Sequence, residues 1–271
     1  MMLHNVLGVW AAALGQAATA PSCPSFTMGA VAAGVLTMND HVEDSDDTHD
    51  EYDELLTALG RSYDEDVRIS LHESGHCIAQ LLFGEPVGFV TVNPADGYEG
   101  CVRGEWGIRG FVKEGGKVLD AGDVRAVLAP CMPLPGEDRA KVSDIFSTVH
   151  AKCIQYASGK VAERMLLDGE PSFASDDIRQ ARELAALICS SEKAIDSFLD
   201  HCEIAAHDLL APYVPLLMSL QIILRIRRTM TGAEVSDVIA TTLARFELAA
   251  ERARRRQWQG THASAAAFRP E

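Results

Sequence analysis

The spacing of apolar and polar residues predicts a mainly helical protein with one small sheet. Residues 51–85 have apolar positions at helical spacing and are predicted to form two helices. Between residues 87 and 112, β-branched residues punctuated by glycine are typical of a short sheet. Residues 114–137 contain glycine and proline and are predicted to form a loop with one short strand at most. Helical spacing then predicts helices at about 140–167, 176–190, 192–211, 215–228 and 232–250.

The second of the two early helices, over residues 66–85, is mostly apolar and contains no proline. Its apolar positions are Val67, Ile69, Leu71, Ile78, Leu81 and Leu82. Gly84 and the proline two residues beyond it predict where the helix ends. Two histidines and a glutamate on such a helix would be costly to bury unless something engages them.

These three polar residues form the pattern H-E-x-x-H within the segment HESGH at 72–76. His72 and His76 are four residues apart, so on a helix both can bind one Zn²⁺. Glu73 lies roughly 100° round the helix from His72 and can reach a water on the metal without being a ligand. The pattern is typical of zinc metallopeptidases. It also arises by chance in roughly one chain in a hundred of this length, or as a half-buried histidine pair.

A zinc site of this kind needs a third protein ligand, and two segments offer one. Glu163, within the predicted helix 140–167, is a glutamate of the kind used by thermolysin-like enzymes. Asp176 and Asp177 begin the next predicted helix. However, a capping Ser175 and aspartates that complement the helix dipole would explain this sequence without a metal. The residues alone leave the third ligand open.

Several motifs occur in the order found in the peptidase domain of FtsH-type zinc metallopeptidases. They span residues from about Leu71 to Ile239. The matching segments are HESGH at 72–76, VGFVTVNP at 87–94 followed by Gly97-Tyr98, SGKVAERMLLDG at 158–169, SFASDDIRQA at 172–181 and MTGAEVSDVI at 230–239. The chain therefore resembles this peptidase domain, without the ATPase module that precedes it in the family.

The resemblance implies a fold that is mainly α with a small β element. It would contain the H-E-x-x-H helix, a short sheet and a C-terminal helical bundle. The resemblance also identifies Asp177 as the third zinc ligand, beside His72 and His76, with Glu73 as the general base. The strand Phe89–Val92 would then pair with an extended polypeptide substrate.

The implied activity is that of a zinc-dependent endopeptidase that hydrolyses peptide bonds in unfolded or flexible polypeptides. Two alternatives come from other classes. The domain could be a catalytically inactive, peptidase-like interaction or regulatory module, or its zinc could serve structure only. A glutamate base beside two ligands favours an open, catalytic site over both alternatives.

The chain contains no G-x-x-x-x-G-K-[ST] phosphate loop, so we expect it to act without ATP when isolated. The sequence leaves open whether a separate unfoldase or adaptor is a partner. It also leaves open whether the chain forms a homo-oligomer. The formal net charge of −15 argues against nucleic acid and against an anionic membrane surface as partners.

The chain is predicted to have three regions. Residues 1–50 form a poorly ordered leader that includes most of an acidic run, Asp40–Glu54, with nine acidic residues. Residues 51–250 form the metallopeptidase domain, and residues 251–271 form a tail that frays. Seven cysteines without paired spacing favour a reducing cytoplasm. An apolar N-terminal segment leaves export or membrane attachment as an alternative. A third option is translation from Met38, which would make the acidic run the N-terminus.

Overall fold

The computed structural model describes residues 51–95, 99–104, 121–134, 136–171 and 175–267. Over these ranges the chain is mainly helical with a small sheet, as predicted. The helices are α1 (Glu51–Leu59), α2 (Tyr63–Leu82), α3 (Ala121–Leu128), α4 (Ser143–Leu166), α5 (Ser175–Ala185), α6 (Glu192–Leu210), α7 (Val214–Arg227) and α8 (Gly232–Ala267). The strands are β1 (Val87–Thr91), β2 (Cys101–Gly104) and β3 (Thr229–Thr231). The predicted leader and residues 105–112 of the predicted sheet lie outside the described residues.

Helix α2 is the central element and is buried on most of its surface. Ser62 caps its N-terminus by accepting a hydrogen bond from the backbone N–H of Glu65. The Glu65 carboxylate accepts one in return from the backbone N–H of Ser62, at 2.8 Å. The helix ends at Leu82, two residues before Gly84, which has a φ of +75°. The predicted helix end is therefore confirmed, and α4, α7 and β1 pack around this helix.

Strand β1 lies in the middle of the sheet and pairs antiparallel with β2 on one side and β3 on the other. Val90 is opposite Val102 in β2 and opposite Met230 in β3. The sequence did not predict β3, because a strand of three residues is too short to show a periodic pattern. The expectation that Phe89–Val92 pairs with a substrate is wrong, since neighbouring strands occupy both edges of β1.

Helix α3 corrects the prediction of a loop over residues 114–137. Residues Ala121–Leu128 form a helix whose first and last side chains are buried. It packs against α5, where Arg125 pairs with Glu183 at 3.3 Å. Contacts with the rest of the fold stabilise these eight residues as a helix, which the neighbouring glycines and prolines concealed in the sequence.

Helix α8 is longer than predicted. It continues to Ala267, so the prediction that it ends near residue 250 is wrong. Residues 251–267 are rich in alanine, arginine and glutamine, which favour helix. Glu251 pairs with Arg254 at 2.5 Å and with Arg255 at 2.7 Å, and such pairs support a solvent-exposed helix.

By length and composition alone, the helical stretch Glu192–Arg227 could cross a membrane. The mean hydropathy of its most apolar 18-residue segment is 1.7, and 39 % of that segment is buried within the protein. Core helices pass the same test, and here Leu210, Leu216 and Leu217 are buried in the core. The cytoplasmic location stays a prediction.

A buried ion cluster fixes the N-terminal part of α2. The Asp66 carboxylate is fully buried and accepts hydrogen bonds from both terminal nitrogens of Arg228, at 2.7 and 3.0 Å. Tyr52 donates a third hydrogen bond at 2.7 Å, and Arg61 lies 3.4 Å away. Burial raises the pKa of Asp66, but the bonds from Arg228 and Tyr52 outweigh it and lower that pKa. Arg228 has a φ of +64°, so this cluster also holds a strained turn between α7 and β3.

We expect Asp66→Asn to destabilise the fold strongly. The substitution leaves the largely buried guanidinium group of Arg228 without its carboxylate, and breaking a buried pair costs about 3–5 kcal/mol. Urea unfolding followed by circular dichroism measures this loss. Asp64→Asn, at an exposed position of the same first turn, is the control and should cost at most about 1 kcal/mol. Equal losses in the two variants would contradict a stabilising role for the cluster.

Candidate metal centre

His72 and His76 lie side by side on α2, on the same face, as their spacing predicts. Their ring centroids are 4.7 Å apart, and their Nε2 atoms are 3.0 Å apart. His72 is buried and His76 is half-buried. The two rings therefore direct one nitrogen each towards a common point.

Asp177, in the first turn of α5, completes a cluster of three possible ligand atoms. Its Oδ2 atom lies 3.0 Å from Nε2 of His72 and 3.2 Å from Nε2 of His76. Ligands that surround Zn²⁺ tetrahedrally at 2.0–2.1 Å are separated from one another by about 3.3 Å. The three atoms lie close to that spacing, so this group could hold a metal ion.

The outer nitrogen of each histidine ring is bound to an acceptor. Nδ1 of His72 donates to Oε1 of Glu163 at 2.8 Å, and Nδ1 of His76 donates to the backbone carbonyl of Gln155 at 2.8 Å. A carboxylate or a carbonyl can only accept, so each Nδ1 must hold the ring proton. In the neutral rings both Nε2 lone pairs then point at the cluster centre, which is the arrangement that metal-binding histidines have.

Glu163, considered from sequence as a third ligand, lies behind His72 and not at the cluster centre. It is fully buried, and its second oxygen, Oε2, lies 3.6 Å from Nη1 of Arg68. Glu163 therefore orients the His72 ring, and Arg68 partly compensates its buried charge. Loss of this hydrogen bond is expected to weaken metal binding, because such a partner fixes the orientation of the ring and raises its basicity.

The two neighbouring aspartates at the start of α5 differ in what they contact. Asp176 is exposed and accepts hydrogen bonds from Arg179 and Gln180, both at 2.8 Å. These are local contacts within the first turns of the helix. Asp177 contacts the two histidines instead, which is the placement implied by the family resemblance.

Gly159 on α4 faces the cluster at very short range. A Cβ atom at this position would lie 2.5 Å from Nε2 of His72 and 2.6 Å from Nε2 of His76. Any larger residue would therefore collide with both imidazole rings and displace the nitrogens that face the cluster. The helices are also close elsewhere, since a Cβ on Gly75 would lie 2.5 Å from the Ser158 carbonyl oxygen.

The charges around the cluster favour a bound cation. Burial lowers the pKa of His72, but Asp177 and Glu163 outweigh burial and raise it to about 10. Burial raises the pKa of Asp177, but the charge of His76 and the contacts of Oδ2 with Nε2 of both rings lower that pKa overall. The carboxylates thus stabilise positive charge at the point where the three ligand atoms meet.

Glu73 is buried next to this cluster, one residue after His72 on α2. Burial raises the pKa of Glu73 to about 7, against the opposing charges of His76 and His72. A Cβ on Gly100 would lie 2.6 Å from Oε1 of Glu73, so only glycine lets the backbone pass this close to the carboxylate. A carboxylate with a pKa near neutrality suits a group that takes up and releases protons.

Three contributors to the site were not predicted from sequence. They are the Gln155 carbonyl, Gly159 and Gly100. Gly159 lies within SGKVAERMLLDG, so the motif gave a signal, although not the reason for the glycine. The other two depend on how separate elements meet in space, which local sequence does not reveal.

No family model and no curated protein matches the chain. The resemblance to FtsH-type peptidases therefore stays a prediction based on the motifs. What the site itself establishes is a group of two histidines and an aspartate that could hold a metal ion, with a glutamate beside it.

We expect Asp177→Ala to weaken zinc binding by orders of magnitude, because it removes one of three convergent ligand atoms. Asp176→Ala is the matched control at the neighbouring position. It should cost only a helix-end interaction of about 0.3–1 kcal/mol in stability and leave zinc binding unchanged. Competition with a colorimetric zinc chelator measures both affinities. Loss of zinc in Asp176→Ala with retention in Asp177→Ala would show that the ligand is misassigned.

We expect Gly159→Ala to abolish metal binding while the protein stays folded, because the methyl group displaces the two imidazole rings. Gly260→Ala in α8 is the control, since a Cβ there meets nothing within 4 Å. Zinc content after dialysis, with circular dichroism to verify folding, distinguishes the variants. Full zinc occupancy in Gly159→Ala would contradict the location of the centre.

Proposed function

We propose that the protein is a zinc-dependent endopeptidase that cleaves unfolded or flexible polypeptides. The observation that supports this most strongly is the convergence of Nε2 of His72, Nε2 of His76 and Oδ2 of Asp177 within 3.0–3.2 Å of one another. Glu73 lies beside this cluster on the same helix. Two histidines, a carboxylate ligand and an adjacent glutamate are the parts that metal-assisted hydrolysis requires.

In this proposal His72, His76 and Asp177 hold the zinc ion. Bound zinc would lower the pKa of a coordinated water and stabilise negative charge on the peptide oxygen. Glu163 and the Gln155 carbonyl keep the two imidazole rings in the tautomer that binds metal. The two imidazole nitrogen ligands favour zinc over Mg²⁺ or Ca²⁺, which prefer oxygen ligands.

Glu73 acts as the general base and then as the general acid. Its carboxylate takes a proton from the attacking water and passes that proton to the leaving amine. Burial raises the pKa of this carboxylate, which makes it a stronger base than an exposed glutamate.

The substrate backbone would pair with β2 rather than with β1. β2 is an edge of the described sheet, and it begins at Cys101, directly after Gly100. An extended peptide that adds to this edge would therefore pass close to Glu73. The substrate must be extended to do so, and a domain stable by about 5–15 kcal/mol rarely exposes such a segment. Unfolding of stable substrates would then come from a separate unfoldase.

The presence of Glu73 beside the cluster argues against the two alternative functions. A metal that serves structure only is held by a closed set of four protein ligands. Among the described residues three ligand atoms meet here, and the nearby glutamate does not belong to the set. An inactive binding module would have no need for a buried glutamate whose pKa is raised, because burying that group costs free energy.

We expect Glu73→Gln to lose at least about 10²-fold in proteolysis, the low end for removal of a general base, while zinc stays bound. The assay measures cleavage of casein by zinc-loaded protein, with zinc content determined on the same samples. Glu54→Gln, at an exposed position of α1, is the control and should keep full activity. Undiminished cleavage by Glu73→Gln would remove this residue from the mechanism, and no cleavage by the wild-type protein would overturn the proposed function.

A further inference from the structure

Two buried cysteines meet where α4 packs against α6. Cys153, on α4, and Cys202, on α6, are both fully buried. Their thiol groups are hydrogen-bonding partners, and neither cysteine is part of a disulfide. A free cysteine in a core behaves as a small apolar residue, so packing alone gives no reason for two thiols to meet. The proposed metal-binding and proton-transfer steps do not use this pair.

Cys153 also contacts the helix that carries Asp177. Its thiol donates to the backbone carbonyl of Ala181 in α5 at 3.5 Å. Ala181 lies about one turn after Asp177 on the same helix. Two residues after Cys153 on α4, the carbonyl of Gln155 accepts the hydrogen bond from His76. The Cys153 thiol therefore lies between two segments on which the candidate metal centre depends.

A cavity of about 220 Å³ lies next to the cysteine pair, between α4, α5 and α6. Both cysteines border it, together with the charged side chains of Lys160, Arg182 and Glu203. Arg182 exposes 40 % of its side chain, so the cavity continues to the protein surface. A volume of this size holds several small polar molecules. A small oxidant such as hydrogen peroxide can thus come close to the two thiols.

The contact makes the two thiols chemically unequal. The one S–H hydrogen of Cys153 can face either the Ala181 carbonyl or the Cys202 sulfur. When it faces Cys202 it stabilises the thiolate there, which lowers the pKa of Cys202 against the effect of burial. The same hydrogen bond, followed by burial, raises the pKa of Cys153. Because the thiolate is the reactive form, Cys202 is the attacking sulfur and Cys153 the one that resolves the product.

We propose that Cys153 and Cys202 are a site of reversible oxidation, where hydrogen peroxide forms a disulfide that weakens metal binding by His72, His76 and Asp177. Disulfides of this transient kind are the ones found in a reducing cytoplasm, which is the predicted compartment. The disulfide itself is independent of the proposed peptidase function. Its effect on zinc rests on the metal centre of that proposal and adds a means of regulating it.

The oxidation proceeds in two balanced steps. The Cys202 thiolate attacks one oxygen of the peroxide, which breaks the O–O bond and gives a sulfenic acid and hydroxide. The hydroxide takes up the proton that Cys202 had lost and becomes water. The Cys153 thiol then attacks the Cys202 sulfur, forms the S–S bond and releases the sulfenic oxygen as a second water. The two thiols are oxidised and the peroxide is reduced, and an added dithiol reverses the change by exchange.

The disulfide changes the metal centre through the helices on either side of it. A covalent S–S bond is shorter than any contact between unbonded sulfur atoms, so α4 must shift towards α6. The bond also removes the hydrogen that Cys153 donates to α5. Helix α4 carries Gln155 and Glu163, which orient the two histidine rings. Loss of such outer partners typically costs about 10–100-fold in metal affinity.

The first test locates the disulfide. Folded protein is treated with hydrogen peroxide, its remaining thiols are alkylated in denaturant, and linked peptides are identified by mass spectrometry. A link between Cys153 and Cys202 is expected, and it should disappear after treatment with dithiothreitol. Cys131→Ser, at an exposed cysteine, is the control and should still form the link. No link between the two residues, or a link from either one to Cys189 instead, would overturn the proposed site.

The second test measures zinc affinity by competition with a colorimetric chelator, after peroxide or reductant has been removed. Oxidised wild-type protein should bind zinc at least about tenfold more weakly than reduced protein. Cys202→Ser and Cys153→Ser should keep the affinity of the reduced protein after peroxide treatment. Both variants retain Cys77, next to His76, so oxidation there would weaken zinc binding in the variants as well. Two different variants keep the test valid if one does not fold.

Unchanged zinc affinity in oxidised wild-type protein, or equal weakening in the two serine variants, would overturn the effect of the disulfide on the metal centre. Neither outcome would affect the proposed peptidase function. Reduced wild-type protein that binds no zinc would instead contradict the metal centre and the peptidase function together. The presence of the disulfide would still be decided by mass spectrometry.

Discussion

The close contact between α2 and α4 is the constraint on which the candidate site depends. A Cβ on Gly75 would collide with the Ser158 carbonyl, and a Cβ on Gly159 would collide with both histidine rings. Glycine at these two positions lets α4 approach until Glu163 bonds the outer nitrogen of His72. The position and the tautomer of that ring therefore follow from backbone packing, because a residue of helix α4 supplies this contact.

Two buried carboxylates, Asp66 and Glu163, fix α2 at different points along its length, and each has a different role. Asp66 links the start of the helix to the turn after α7 through Arg228, which stabilises the scaffold. Glu163, on α4, accepts the hydrogen bond from Nδ1 of His72 and so leaves Nε2 of that ring free to bind a cation. Burying either charge without its partners would cost several kcal/mol, so both are expected to fix geometry as well as to add stability. Glu163 holds the His72 ring in place, and the Gln155 carbonyl does the same for His76.

The sequence predicted the features that are encoded locally. The H-E-x-x-H face of α2, the helix end before Gly84 and most helices follow from periodicity and end signals, which act over a few residues. Helix α3 and strand β3 were missed because elements this short form through contacts with distant parts of the chain. Asp177 could be singled out only by the family resemblance, since an aspartate at a helix start is normally explained by the helix dipole. The role of Glu163 behind His72 required the packing of two helices to be known.

The central claim is that one metal ion binds where the two histidines and Asp177 converge. Anomalous diffraction from zinc-loaded crystals, recorded on both sides of the zinc absorption edge, tests it most directly. The account predicts a strong peak at about 2.0–2.2 Å from Nε2 of His72, Nε2 of His76 and an Oδ atom of Asp177. A zinc peak elsewhere, with none between these three side chains, would contradict it.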